Sequence, residues 1–281
     1  MPHTREFPNV DPDLVAHALE LGRHALFGYD IGVSWKGRWV FRVGPYFFPD
    51  PDPDCIKQPA WQYLGSKAEE NLWNVQEFWY HVYRPGAGDV IVDIGAGCGE
   101  DVFVFSRSVG PRGQVWAIEA HPVSFGVLQQ LCSHNCLSNV SALNVACVDE
   151  SAQLQIETLP NWQTNYVRAG DPSIDSYPVA GVTFDSICQD RKIGRIDFLK
   201  INIEGSERLA LPGCRLALQR TRNVCVATHD FRADRGDGEQ FRTAAYVREF
   251  LANAGFELLT RDEDPRYYVR EHVHGRRVSW P

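Results

Sequence analysis

The feature that most constrains the fold of this 281-residue chain is an apolar run that ends in three alternating glycines, VIVDIGAGCGED at residues 90–101. A continuous run of aliphatic residues is typical of a strand that is buried on both faces of a parallel sheet. Glycines directly after such a strand allow a tight turn and let a ligand approach the backbone closely. The segment therefore predicts a buried strand, a cofactor loop and the first turn of a helix.

The rest of the chain repeats this alternation of strand and helix. Apolar runs predict further strands, which read QVWAIEA, VSALNVAC, IDFLKINI, NVCVATHD, FELLTR and YYVREHVH, the last two antiparallel. Segments of helical periodicity separate most of these runs. Such alternation predicts an α/β fold with a mostly parallel, seven-stranded sheet that is covered by helices on both faces. Ligands of these sheets bind beyond the carboxyl ends of the strands.

The amino-terminal part of the chain differs in composition from the rest. Residues 1–66 are predicted to form a cap, and residues 67–281 a cofactor-binding domain with a polar loop or insertion at about 158–181. The segment WKGRW predicts a hairpin with its turn at Lys36–Gly37. The segment 67–83 shows the periodicity of a helix.

Tryptophan is concentrated in this amino-terminal part, where five of the eight residues of this type lie before position 80. Indole rings stack on sugar rings and other flat surfaces, so Trp35 and Trp61 are predicted to contact an acceptor molecule. Trp39 and Trp73 are further candidates. The alternative is a lid whose aromatic side chains are buried against the core.

Charge and hydropathy argue against several classes of partner. The formal net charge is −8 and no basic block occurs, which disfavours a nucleic-acid ligand. No apolar run approaches the roughly 18 residues that a membrane span needs, and the amino terminus has no apolar signal segment. The eight cysteines lack metal-ligand spacing and are expected to be reduced. We expect a cytoplasmic protein that acts on a small molecule.

The residues around the glycines distinguish between two kinds of cofactor that contain a ribose. Glu119 ends the next predicted strand, 20 residues after Gly99, where an acid can accept hydrogen bonds from two ribose hydroxyls. A dinucleotide would place its pyrophosphate at the start of the helix, where Glu100 and Asp101 repel it. Asp93 adds a third carboxylate, and an acidic pocket suits the sulfonium and ammonium groups of S-adenosylmethionine (SAM). Alternatively, Glu100 and Asp101 only complement the helix dipole.

Three segments together resemble the FkbM family of SAM-dependent methyltransferases. They are residues 88–135, which include the glycine loop and EAHP, then VTFDSIC, and then IDFLKINIEGSERLALPGC. The resemblance spans roughly residues 70–230. It implies a Rossmann-like, class I methyltransferase fold and O-methylation of hydroxyls on sugars, glycolipids, polyketides and related natural products.

The resemblance assigns roles to individual residues. The predicted cofactor site comprises Glu70, Asp93, Gly95, Ala96, Gly97, Gly99, Glu119, Ala120, Ala146 and Asn202. Later family motifs match Asp185, Lys200, Glu204, Gly205 and Glu207. Asn202 stands where the family usually has Asp, and ATHD lacks the acid that often precedes its histidine. Because hard cations favour carboxylate ligands, we expect no divalent metal at this site.

His229 is the candidate general base, with Asp230 or another nearby carboxylate orienting its imidazole. The alternative is a histidine that only hydrogen-bonds the loop backbone. Asn202 is predicted to position the acceptor hydroxyl, and Glu204 to contact the acceptor. These residues follow predicted strands, at the edge of the sheet where ligands bind.

Two further charged residues have open roles. Lys200 is predicted to pair with Glu204 or Glu207, because a lysine beside a sulfonium is electrostatically unfavourable. Asp185 is predicted either to contact the acceptor or to cap a short helix.

The leading hypothesis is a SAM-dependent O-methyltransferase whose acceptor is a hydroxylated small molecule. Two alternatives stay open: a SAM-binding partner protein without turnover, and an NAD-dependent oxidoreductase. The second is disfavoured by the carboxylates at the start of the helix. The sequence is compatible with either a monomer or a homodimer.

Overall fold

A computed structural model describes residues 31–52, 54–55, 73–157, 167–168 and 176–278 of the chain. The predictions for Trp61, for Glu70 and for a cap boundary at residue 66 lie outside these ranges. Within them, no helix is both long enough and apolar enough to cross a membrane.

Strands and helices alternate along most of the described chain. In chain order the strands are β1 (Ile31–Trp35), β2 (Trp39–Val43), β3 (Tyr46–Pro49), β4 (Val90–Ile94), β5 (Gln114–Ile118), β6 (Val140–Leu143), β7 (Ala146–Cys147), β8 (Ala152–Glu157), β9 (Val167–Arg168), β10 (Ser176–Val182), β11 (Ile196–Ile201), β12 (Thr221–Ala227), β13 (Phe256–Leu259) and β14 (His272–Arg277). The α-helices are α1 (Glu100–Val109), α2 (Pro122–His134), α3 (Phe184–Asp190), α4 (Glu207–Ala210), α5 (Arg215–Gln219), α6 (Asp230–Asp234), α7 (Ala244–Asn253) and α8 (Tyr267–Arg270). Val75–Trp79 forms a π-helical turn, and Leu211–Cys214 and Glu239–Phe241 form 3-10 turns.

Seven strands form the central sheet in the order β13–β14–β12–β11–β4–β5–β6. Strand β14 is antiparallel to both of its neighbours, and the other adjacent strands are parallel. This confirms the predicted mostly parallel, seven-stranded sheet. Because β4 has β5 on one side and β11 on the other, the direction of winding reverses at β4. A reversal of this kind opens a crevice at the carboxyl ends of β4 and β11.

The central strands are buried on both faces, as their continuous apolar runs predict. Val92 packs with Phe184 of α3 on one face, and Ile91 packs with Phe105 of α1 on the other. Neighbouring residues of a strand point to opposite faces, so a single strand anchors helices on both sides. Complete burial of one such side chain stabilises the fold by about 1.5–3 kcal/mol.

Four strands form a second sheet in the order β7–β10–β8–β9. Its presence shows that one predicted strand and part of a predicted loop were wrong. The run VSALNVAC is not a single strand, because β6 and β7 belong to different sheets. Between them, Asn144 Nδ2 donates hydrogen bonds to the backbone oxygens of Glu119 at 2.8 Å and Ala120 at 3.0 Å, and the chain turns away from β5. Part of the polar segment 158–181 is more regular than predicted, since β10 pairs along its length with β8.

Strands β1, β2 and β3 form a separate antiparallel sheet, and the predicted hairpin is confirmed. Residues 36–38 connect its strands, one residue more than the predicted turn at Lys36–Gly37. This sheet packs on helices α1 and α2. The Phe48 and Phe103 rings lie 5.4 Å apart, and Asn135 Nδ2 donates a hydrogen bond to Phe47 O at 2.7 Å. Trp39 is completely buried, so it belongs to the core and does not face an acceptor.

Two other predicted elements have different bounds. The helix predicted over 67–83 ends earlier, because the chain leaves the π-helical turn at Tyr80. The segment YYVREHVH is not one strand: its first four residues form α8, and the strand β14 begins at His272.

Candidate cofactor and acceptor site

The loop between β4 and α1 follows a path that only glycine permits at its first position. Gly95 has a φ of +81°, and a Cβ there would lie 1.8 Å from the backbone oxygen of Asn202. The backbone nitrogen of Asn202 donates a hydrogen bond to Ile94 O at 2.9 Å. Two predicted cofactor residues, Gly95 and Asn202, therefore meet at one backbone junction above the centre of the sheet.

The end of the same loop packs against α2. Gly99 precedes α1 with a φ of +95°, and a Cβ there would lie 2.6 Å from Leu128 Cδ1. Ala96 and Cys98 are buried beside it. Cys98 is thus a small residue in a tight turn, and burial is the environment of an unreactive thiol.

Glu119 connects this loop to the end of β5. Its Oε2 accepts a hydrogen bond from Gly97 N at 2.7 Å, and its Oε1 accepts one from His121 N at 2.7 Å. Burial raises the pKa of Glu119, and the backbone amides oppose that shift. The sequence predicted this acid beside the glycine loop, and the structure brings the two together. Each carboxylate oxygen retains a lone pair with which it can accept a ribose hydroxyl.

Two predicted cofactor alanines pack in one small cluster. Ala146 begins β7 and is buried in the small core of the second sheet, against which Ala120 also packs. The turn made by Asn144 brings these alanines together. Their role as cofactor contacts stays a prediction.

Lys200 lies beneath the glycine loop, on β11 and in register with Asp93 on β4. Its Nζ is 2.7 Å from Asp93 Oδ1 and 3.5 Å from Asp101 Oδ2. It also donates a hydrogen bond to Gly95 O at 2.8 Å, and it lies 5.1 Å from the ring centroid of Trp79. Lys200 therefore joins the glycine loop, the start of α1 and the π-helical turn.

These contacts correct the predicted pairing of Lys200 with Glu204 or Glu207. Lys200 lies on the face of the sheet that α1 covers, whereas both acids lie beyond the end of β11. Burial by itself would lower the pKa of Lys200, but the carboxylates of Asp93 and Asp101 outweigh it and raise the pKa. The lysine is thus a cation with its own counter-ions, which removes the objection to a sulfonium nearby.

The cluster leaves one buried acceptor atom available for a ligand. Among the described residues, Asp93 Oδ2 has no hydrogen-bond partner, although the side chain is fully buried. Burial raises the pKa of Asp93 to about 7, and Lys200 opposes that shift. Two carboxylates, on Asp93 and Asp101, face this one lysine. A spare carboxylate oxygen, the bare backbone of the glycine loop and Glu119 fit the ammonium, sulfonium and ribose groups of SAM.

His229 follows β12 and is buried between two carboxylates. Its Nδ1 lies 3.0 Å from Glu207 Oε1, and its Nε2 lies 3.4 Å from Glu204 Oε1. Burial by itself would lower the pKa of His229, but Glu207 and Glu204 outweigh it and raise the pKa to about 10. At neutral pH both ring nitrogens then carry hydrogens, and the imidazolium has no lone pair for a proton from an acceptor.

The prediction that Asp230 orients His229 needs correction. Asp230 Oδ1 accepts hydrogen bonds from Thr243 N at 2.7 Å and from Ala244 N at 2.8 Å, so it caps the start of α7. The other prediction, that a different nearby carboxylate orients the ring, agrees with the position of Glu207.

Glu204 has a left-handed backbone conformation, with a φ of +56°. For a residue with a side chain this conformation costs about 1–3 kcal/mol and is concentrated at functional sites. Arg232 Nη1 donates a hydrogen bond to Glu204 O at 3.1 Å and lies 3.7 Å from Glu204 Oε2. The Glu204 side chain is 21% exposed, whereas those of Glu207 and His229 are 0% and 4% exposed.

Other predicted acceptor residues have different positions. The carboxylate of Asp185 accepts hydrogen bonds from Leu216 N at 3.0 Å and Ala217 N at 2.7 Å, at the start of α5. Asp185 therefore caps a short helix, which is the second of the two roles that the sequence predicts for it. Trp35 packs edge-on against Trp39 at 5.1 Å and is half-buried, and its contact with an acceptor stays a prediction.

Among the described residues, no three His, Cys, Asp or Glu side chains form a group that could hold a metal ion.

A row of aromatic rings leads from the surface to His229, and of its members the sequence analysis named only Trp73 as a candidate for acceptor contact. We call it the aromatic strip, and its rings in spatial order are Trp73, Phe78, Tyr268, Tyr267 and Phe231. Successive ring centroids are 5.8, 5.9, 5.5 and 5.8 Å apart, and the last ring is 5.9 Å from His229. Trp73, Tyr267 and Tyr268 are exposed. The rings belong to three segments that are far apart in the sequence, residues 73–78, 231 and 267–268, and only the fold brings them together.

The doubly wound sheet, the glycine loop and the acid at the end of β5 define a Rossmann-like, SAM-dependent methyltransferase. A comparison with protein-family models assigns the chain to one family within this class. The model for the Methyltransferase FkbM domain matches residues 93–258, more than half of the chain, and the protein belongs to that family. No curated protein sequence matches the chain.

Solved structures with distant similarity include three other proteins. Aeropyrum pernix fibrillarin, in complex with natively bound SAM, has 15% identity and a TM-score of 0.45 over 87% of this chain and 97% of its own. A SAM-dependent methyltransferase from Aquifex aeolicus has 16% identity and a TM-score of 0.43 over 81% and 96%. Precorrin-6y C5,15-methyltransferase from Geobacter metallireducens GS-15 has 14% identity and a TM-score of 0.43 over 74% and 88%.

Proposed function

We propose that this protein transfers a methyl group from SAM to a hydroxyl of a sugar, glycolipid or polyketide-type natural product. The observation that carries the choice of donor is the carboxylate of Glu119, held 2.7 Å from Gly97 N beside an acidic helix start. In this proposal Glu119 accepts hydrogen bonds from the ribose hydroxyls. Asp93 and Asp101 favour a cationic methionine end over a pyrophosphate.

SAM, when bound, supplies an electrophilic methyl group on a sulfonium. The remaining task of the protein is to align the acceptor oxygen behind that methyl group and to remove its proton. Alignment alone contributes as much as ~7–11 kcal/mol in well-ordered cases. Asn202 lies where the loops after β4 and β11 meet, and its side chain is our candidate for holding the acceptor hydroxyl.

The aromatic strip supports an acceptor with a ring. Aromatic faces stack on the apolar faces of sugars and on flat polyketide rings. The strip ends beside His229, next to the partly exposed carboxylate of Glu204. A ring that stacks on Phe231 or Tyr267 would therefore bring its hydroxyls toward the carboxyl ends of β11 and β12. Trp35 and Trp61 remain additional candidates for contact with the acceptor.

Calorimetry with SAM and, separately, with NAD tests the donor. We expect SAM to bind and NAD to bind at least tenfold more weakly; tight NAD binding without SAM binding would instead support an oxidoreductase. Mass spectrometry of a panel of glycosides and polyketides incubated with SAM then tests turnover. Acceptors that gain 14 mass units support the proposal, and SAM binding without any product would favour a SAM-binding partner protein.

A further inference from the structure

We infer that Glu204 is the catalytic residue that accepts the proton of the acceptor hydroxyl, and that His229 and Glu207 are positioning residues that hold its carboxylate. The inference rests on the proposed O-methyl transfer and goes beyond it by naming the base. It replaces the sequence-based prediction that His229 itself takes the proton.

Glu204 lies at the edge of the sheet where the two substrates have to meet. It follows Asn202 by two residues, and the backbone of Asn202 contacts the glycine loop at Gly95. On its other side it faces His229, at the carboxyl end of the neighbouring strand, with 3.4 Å between Glu204 Oε1 and His229 Nε2. A carboxylate here lies between the cofactor loop and the aromatic strip.

His229 is unsuited to take the proton because carboxylates occupy both of its ring nitrogens. Glu207, which is fully buried, lies at Nδ1, and Glu204 lies at Nε2. The pKa of His229, which is raised to about 10, agrees with this geometry. Burial alone would lower that pKa, so the rise comes from the two carboxylates. An imidazolium in this position can donate a hydrogen bond to Glu204 and orient it, but it cannot act as a base.

The backbone around Glu204 is fixed by the same group of residues. Glu207 Oε1 also accepts a hydrogen bond from Gly205 N at 3.2 Å. A Cβ on Gly205 would lie 2.3 Å from the ring of Phe241, so the turn packs closely on that ring and only glycine fits there. Together with the hydrogen bond from Arg232 to Glu204 O, these contacts hold Glu204 in its left-handed conformation. In this conformation the Glu204 carboxylate lies beside His229 and stays 21% exposed.

The proposed step balances without any further reactant. The acceptor oxygen forms a bond to the methyl carbon, and the carbon–sulfur bond breaks with its electron pair passing to sulfur. The acceptor O–H bond breaks, and its proton passes to a Glu204 oxygen. Because the side chain is partly exposed, that proton can then leave to water.

The first experiment removes the base and attempts chemical rescue. In Glu204→Ala we expect kcat to fall by about 10²–10⁴-fold, the usual contribution of a general base, while the affinity for S-adenosylhomocysteine stays within threefold. Added formate should restore part of the rate, because a small carboxylate can enter the space that the side chain leaves. Glu204→Gln, which keeps the shape, should lose as much and show no rescue. The exposed Glu249→Gln is the matched control.

The second experiment measures the pH dependence of kcat. If neutral His229 were the base, the rate of the unmodified protein would keep rising as pH increases toward 10; we expect no such rise between pH 7 and 9. In Glu207→Gln the histidine loses its buried counter-ion, so kcat should fall and its pH profile should change, whereas SAM binding should not.

Three results would overturn the inference. The first is a wild-type kcat in both Glu204 variants. The second is a reduced rate in Glu204→Ala that formate does not restore, although the variant still binds S-adenosylhomocysteine. The third is a kcat of the unmodified protein that increases tenfold per pH unit up to pH 10. Failure of the proposed function would give a different result from these three. The unmodified protein would then yield no methylated product, and the inference about Glu204 would fail with it.

Discussion

Lys200 Nζ and Asp93 Oδ1 lie 2.7 Å apart in the protein interior, on neighbouring strands and in direct register. Both side chains are almost completely inaccessible to water. The pair fixes the glycine loop from below, because Lys200 also donates a hydrogen bond to Gly95 O. We therefore expect this ion pair to couple folding stability to cofactor binding.

Lys200→Met tests this coupling. The substitution leaves Asp93 buried without its counter-ion and next to Asp101, and loss of one partner of a buried pair costs about 3–5 kcal/mol. We expect the free energy of unfolding in urea to fall by about that amount and SAM affinity to weaken. Lys36→Met, at an exposed hairpin turn, serves as the control. Equal unfolding midpoints for the two variants would show that the pair is unimportant for stability.

Gly95→Ala is expected to abolish SAM binding. A Cβ at this position would lie 1.8 Å from Asn202 O, so the loops after β4 and β11 would have to separate. Gly88→Ala is the matched control, because Gly88 also has a positive φ, +93°, but a Cβ on Gly88 would have nothing within 4 Å. Left-handed backbone strain alone costs about 1–2 kcal/mol per residue. Calorimetry with S-adenosylhomocysteine should therefore detect binding in the control variant and none in Gly95→Ala.

Glu119→Gln should weaken SAM binding by about 10–100-fold, since hydrogen bonds to a charged group contribute about 1.5–3 kcal/mol. The amide keeps the size of the side chain but replaces one acceptor oxygen by a donor. Calorimetric titration with S-adenosylhomocysteine measures the change, and the exposed Glu150→Gln provides the control. Unchanged affinity with an intact thermal transition would mean that Glu119 does not hold the ribose.

The stabilisation by His229 should depend on pH in a defined window. The folded-state pKa is raised from the ordinary value of 6.5 to about 10, so folding favours the protonated ring. That stabilisation is complete below about pH 6.5 and decreases as the pH rises, until it is lost above about pH 10. The difference in unfolding free energy between the unmodified protein and His229→Gln should thus be smaller at pH 10 than at pH 6.5.

Urea denaturation at a series of pH values measures this difference. His134→Gln, at the end of α2 and only partly buried, is the comparison variant. A difference that stays constant from pH 6.5 to 10 would contradict the ion-paired arrangement of His229.

Tyr267→Ala should raise the KM for an acceptor by about tenfold and leave the affinity for SAM unchanged. Loss of one aromatic stacking contact costs about 0.5–1.5 kcal/mol beyond the lost buried area. Steady-state kinetics at saturating SAM measure the effect once an acceptor is known. Tyr177→Ala removes an exposed tyrosine from the second sheet, outside the aromatic strip, and is the control. Similar KM values for both variants would exclude the strip as the acceptor surface.

The sequence was sufficient for the mostly parallel central sheet and for the position of Glu119 beside the glycine loop. Continuous apolar runs marked the buried strands, and the three glycines marked the tight loop between β4 and α1. The spacing to Glu119 also sufficed, because a strand, a helix and a second strand bring that acid back to the same edge of a parallel sheet. These are local or near-neighbour properties, which hydrophobic periodicity and backbone conformation determine directly.

Only the tertiary structure decided which charged groups pair and which rings meet. Lys200 pairs with Asp93 because parallel register places them side by side on one face of the sheet, although they are far apart in the chain. His229 lies between Glu204 and Glu207 because two neighbouring strands end together. The pKa of each of these groups depends on how deeply it is buried and on the charges around it, which are set by the packing of the whole interior. Residue types and spacing alone therefore did not show that His229 lies between two carboxylates.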